Sequence, residues 1–210
     1  MIAPPTALPS LVAAALQSAA WTGVVLVLLA GVVGSVLAVR LRRPGLAWIG
    51  LGSTAAAFLL SGLGGTTAPS PLALSVAVLA SVLAVVGGGP VVLMTLDLAT
   101  TGARSGSHGG IMIAAPLSRS TAAGGPTAIG QPIEVLRGGT TIGVLERVAT
   151  AGALVAGLPE GVAVVVAIKG VGRFSELASP EARERFIIGT LASLTWAAAL
   201  GVLARLYLAG

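Results

Sequence analysis

Residues 17–39, QSAAWTGVVLVLLAGVVGSVLAV, carry no charge, and Arg40, Arg42, Arg43 and Pro44 follow them at once. At 1.5 Å of rise per residue a helix of this length covers about 34 Å, slightly more than the hydrocarbon core of a bilayer. The stretch therefore predicts a transmembrane helix that stops where arginines reach the headgroups and proline cannot continue the turn. Outward from it, the charge-free region extends back to residue 1 and resumes over residues 44–96. The leading MIAPPTALPS has no basic stretch, so the first helix is expected to be kept rather than cleaved.

Composition supports the same solvent. The chain has 210 residues, 55 % of them hydrophobic and 9 % charged, and a mean hydropathy of +1.00, more apolar surface than a water-soluble domain can cover. Only 3 % are aromatic; the apolar residues are mainly Ala, Val, Leu and Gly, whose small side chains let membrane helices approach closely. The short alternating segments of a β-barrel are missing, so the expected fold is an all-α polytopic transmembrane helical bundle.

Further spans are read at 45–64 and from Leu72, separated by the neutral turn GGTTAPSP. The third span meets Gly87-Gly88-Gly89-Pro90, which either kinks one long helix or, the favoured reading, ends it and starts a short surface helix with Pro90 in its first turn. Residues 100–137 are rich in Gly, Ser, Thr and Pro, too polar to span and without periodicity, and read as a mobile cytoplasmic loop. Apolar character returns in TTIGVLERVATAGALVAGL from Thr140, turns at Pro159-Glu160-Gly161, and continues in GVAVVVAIKGVGRF. Ser179-Pro180 marks the start of a last helix, with Trp196 in mid-span and Tyr207 expected in the aromatic belt at the far interface. The organisation is thus three N-terminal spans over 1–99, the loop, and a three-helix membrane unit over 138–210.

Six spans put Arg40, Arg42, Arg43, Arg104, Arg119, Arg137, Arg173, Arg183 and Arg185 on one side of the membrane. The opposite side receives only Glu160 and Arg205, which by the positive-inside rule places both termini outside. A net charge of +5 accordingly reads as a topology signal, not as a nucleic-acid footprint, and no nucleic-acid partner is expected.

Within these spans the exceptional residues are Glu146, Arg147 and Lys169. Glu146 and Arg147 lie six or seven residues into the fourth span, and Lys169 lies four residues before Arg173, so all three sit about 6–10 Å below the cytoplasmic interface. Hairpin neighbours at one depth predict a Glu146–Lys169 ion pair, with Arg147 pairing elsewhere or reaching the headgroups and Glu184 as its candidate partner. Such a buried pair serves either an ion path or helix register, and shallow placement favours register. The small-residue spacing Gly189-x-x-x-Ser193, with Thr190 beside it, predicts close helix packing.

The inventory excludes more than it suggests. With no cysteine, one histidine (His108) and one aspartate (Asp97), neither thiol chemistry, nor HExxH zinc sites, nor aspartyl dyads can be built in one chain. A Walker-type phosphate loop is also missing. No catalytic residue, metal or cofactor is expected, and the chain is not expected to be an enzyme.

Three ordered motifs, IGVLER at 142–147, KGVGRF at 169–174 and FIIGTLAS at 186–193, resemble the C-terminal region of a family of bacterial multi-pass membrane proteins known only as a domain of unknown function. The resemblance covers residues 138–196 and marks Gly143, Glu146, Arg147, Lys169, Arg173, Phe174, Gly189, Thr190 and Ser193. It implies a shared three-helix unit in a bacterial cytoplasmic membrane and brings no activity with it. Two functional readings follow: a structural or accessory membrane subunit, whose partners are the lipid bilayer and a second copy or another membrane protein, or a small transporter or channel with a proton or anion path at Glu146, Arg147 and Lys169. The first three spans hold no counterpart of the Glu-Arg pair, so no inverted repeat supports transport.

Overall fold

The computed structural model describes residues 7–99, 111–113, 133–135, 139–172 and 180–210. Among these it contains six helices: α1 (Ala7–Arg40), α2 (Ala47–Gly64), α3 (Ser70–Ala99), α4 (Gly139–Val155), α5 (Glu160–Gly172) and α6 (Pro180–Ala209). Four of them, α1, α2, α3 and α6, are long and apolar enough to cross a membrane. The 17 residues of α4 and 13 of α5 amount to about 25 and 20 Å of helix, short of a full hydrocarbon core.

Helix α3 occupies the centre, packed against α6 on one side and α1 on another; α2 lies on α1, α4 fills the angle between α3 and α6, and α5 packs on α4 at the periphery. Val24, Leu28, Val76, Leu83, Leu200 and Leu203 are wholly buried in the shared core. The α1–α2 seam depends on close approach: a Cβ at Gly34 would stand 2.7 Å from Ile49, so no larger residue fits without moving the helices apart. Hydroxyls on α2 are satisfied within their own helix, Ser53 and Thr54 both donating to the Gly50 carbonyl.

Ladders of side-chain contacts set the relative heights of the helices. Gln17 Nε2 donates to the Gly64 carbonyl at 3.1 Å and Trp21 Nε1 to the Gly65 carbonyl at 3.0 Å, so the α2–α3 turn docks about 30 Å from Arg40 along α1. The earlier turns of α1 project past that level, with Leu11 and Leu16 exposed to 62 % and 67 %. Tyr207 is not an exposed belt residue: it is 2 % exposed, and its hydroxyl lies 3.0 Å from Ser61 Oγ, joining α6 to α2.

Two expectations change. Residues 70–99 form one helix through Gly87–Pro90 instead of two, and Pro90 is buried within it. A proline inside a membrane helix is tolerable where neighbouring helices cover it, and α3 is packed against α1, α4 and α6. Within the polar segment, β1 (Ile111–Ile113) pairs antiparallel with β2 (Ile133–Val135), Met112 opposite Glu134, so part of the expected loop has regular structure. The rest of residues 100–137 lies outside the described residues.

Candidate functional site

Consecutive residues on a helix point about 100° apart, so Glu146 and Arg147 face different neighbours. Glu146 turns to α5, where Lys169 Nζ stands 2.5 Å from its Oε2; the two side chains are 9 % and 15 % exposed. The same ammonium lies 5.4 Å from the ring centre of Phe186, so Lys169 also reaches α6 through a cation–π contact. Arg147 turns inward. Its Nε donates to the Val85 carbonyl of α3 at 3.0 Å and its Nη1 to Ser193 Oγ of α6 at 3.3 Å. Two adjacent residues thereby tie α4 to α3, α5 and α6.

Room for the guanidinium comes from glycine. A Cβ at Gly88 would overlap the Arg147 side chain, and one at Gly143, a turn earlier on α4, would lie 3.1 Å from Nη1. Nearby, Trp196 Nε1 donates to the Leu83 carbonyl at 3.2 Å. Its ring lies against Gly87, where a Cβ would be only 2.7 Å from it. The stretch of α3 just before Pro90 thus receives side-chain donors from both α4 and α6, at the carbonyls of Val85 and Leu83.

The structure brings Glu146, Arg147, Lys169 and Ser193 together. Gly189 lies on the α3–α6 seam, a Cβ there falling 3.5 Å from Val92. Glu184 stands apart with Pro180, Arg183, Ile187 and Ile188 around a shallow hollow, and among the described residues no hydrogen bond or ion pair joins it to Arg147. Arg173 and Phe174 lie outside the described residues. Val85, Gly88 and Trp196 were not legible as site residues: a carbonyl and a glycine carry no chemical signature, and the tryptophan reads as ordinary span filling.

Three hydroxyls of the same region, Ser35 Oγ, Thr150 Oγ1 and Thr190 Oγ1, are buried without a hydrogen-bond partner. Among the described residues no group of three His, Cys, Asp or Glu side chains could hold a metal ion. No protein-family model, curated protein or solved structure matches the chain.

Proposed function

We propose that this chain is a structural or accessory subunit of a bacterial cytoplasmic membrane, crossing it six times with both termini outside, and that Glu146, Arg147 and Lys169 act as a clamp fixing the register of its C-terminal helices. The observation that carries this reading is the division of labour at the clamp: each charge is spent on a bond to a different helix. Short α4 is held near both of its ends, to α5 at one and to α6 at the other, which suits its place as the fourth span. Lys169 meets Glu146 near one end, and Arg205 Nη1 donates to the Val155 carbonyl at 3.4 Å near the other. Membership of the family whose motifs residues 142–193 resemble is part of the same proposal, as is an expected partner in the form of a second copy or another membrane protein.

The test is a double-mutant cycle read as unfolding in detergent. Glu146→Gln and Lys169→Met should each destabilise, and the combined variant should recover a substantial part of the loss, because removing one partner strands a charge whereas removing both leaves a neutral pair. Additive losses would refute the clamp.

A second reading, transport of protons or small anions, draws support from the buried, unpartnered hydroxyls of Ser35, Thr150 and Thr190, since buried hydroxyls in want of partners are what a polar track requires. Flux into proteoliposomes decides it. Native protein, correctly inserted, should then show pH-dependent flux that Glu146→Gln reduces, and its absence removes the transport reading.

A further inference from the structure

The turn after α1 departs from helix-ending practice at one residue. Arg43 N–H donates to the Ala38 carbonyl at 3.0 Å and Arg42 N–H to the Val39 carbonyl at 3.3 Å, the paired bonds of a Schellman cap. The position that such caps give to glycine is held by Arg42 at φ 51°, the one non-glycine residue with positive φ among the described residues. Arg40, Arg42 and Arg43 are all exposed, and Leu46 N–H bonds back to the Arg43 carbonyl at 3.1 Å, closing the following turn over Pro44–Leu46. A backbone conformation that a long side chain rarely adopts is thereby kept in a rigid elbow between two apolar helices.

The other described cations are engaged. Lys169 meets Glu146, Arg147 meets Val85 and Ser193, Arg205 meets Val155, and Arg183 and Arg185 have interactions of their own. Arg40, Arg42 and Arg43 have no side-chain hydrogen bond or ion pair among the described residues, and the acidic Asp97 at the end of α3 does not meet them there. Leu41, 56 % exposed between the arginines, and Trp48, 60 % exposed on the first turn of α2, add apolar surface at the same level. Cations beside exposed apolar side chains match the two halves of one molecule, a phospholipid with an anionic headgroup.

We propose that the Arg40–Arg43 elbow is a binding site for an anionic phospholipid headgroup, with Arg42 held in its left-handed conformation so that three guanidinium groups converge on the phosphate. The test uses the full chain in mixed vesicles of equal phosphatidylglycerol and phosphatidylcholine, extracted gently and read as the ratio of the two lipids retained on native mass spectrometry. Native protein should be enriched in the anionic lipid. Arg42→Gly, which suits the cap and leaves folding intact, should lower the enrichment about fivefold, the effect of one basic residue at a charged lipid surface. Arg42→Gly combined with Gly45→Arg keeps the charge of the loop and fills open space, yet should not restore the enrichment. Native enrichment in Arg42→Gly, full restoration in the combined variant, or displacement of the bound lipid by inorganic phosphate would each overturn the proposal.

Discussion

The α1–α2 seam and the α4–α6 unit solve the same problem, holding helices together where water does not drive them, by different means. At the first seam the backbones approach over Gly34, Ser53 bonds a carbonyl of its own helix, and the polar bonds that cross from α1, those of Gln17 and Trp21, are neutral and gathered at one end. In the second unit the polar atoms cross between helices: Arg147 to α3 and α6, Lys169 to α4, Arg205 to the end of α4. The comparison teaches that a seam built on steric fit takes its register from neutral bonds at one end, whereas in the C-terminal unit charged cross-links specify the height of each helix within the bundle.

The largest effect is expected where a charge loses its partner. Lys169→Met strands the Glu146 carboxylate in a buried site and should cost about 3–5 kcal/mol of unfolding free energy in detergent, with the C-terminal helices becoming protease-sensitive first. Next comes overpacking. Gly34→Ala should cost about 1–3 kcal/mol through its clash with Ile49, and cross-linking between α1 and α2 should report the loss while contacts of α4 persist. If the alanine costs more than the lysine change, the two halves have exchanged roles and the contrast fails. Tyr207→Phe removes the Ser61 contact, but Ser61 Oγ still donates to Ala57, so about 0.6 kcal/mol is expected, within reach of a careful thermal-melt series. Gly52→Ala faces open space inside α2 and should hold or slightly raise the melt, alanine being the better helix former, a control that sharpens the Gly34 result.

How much of this was legible in the sequence follows from the range of the forces involved. Helix α1 ends at Arg40 and α6 begins at Pro180 because arginine, proline and serine act locally, and those boundaries read directly. The Glu146–Lys169 contact was also legible, since helix rise and one tight turn suffice to level two residues of a hairpin. Continuity of α3 through Pro90 was not, because the helices that cover it, α1, α4 and α6, are distant in the sequence. Tyr207 misled for a related reason: a tyrosine near a helix end is a belt residue unless a hydroxyl such as Ser61, 146 positions distant, takes it inward.

The overhang of α1 has a consequence for the bilayer itself. Its 34 residues make about 51 Å of helix, uncharged until Arg40, whereas α5 on the far edge of the bundle offers about 20 Å. On the proposed six-span arrangement, in which α5 crosses the bilayer, hydrophobic mismatch of opposite sign meets the lipid on two sides of one molecule. Either α1 leans steeply, or the annulus thickens beside it and thins beside α5, so that the protein sits in a wedge of membrane rather than a slab.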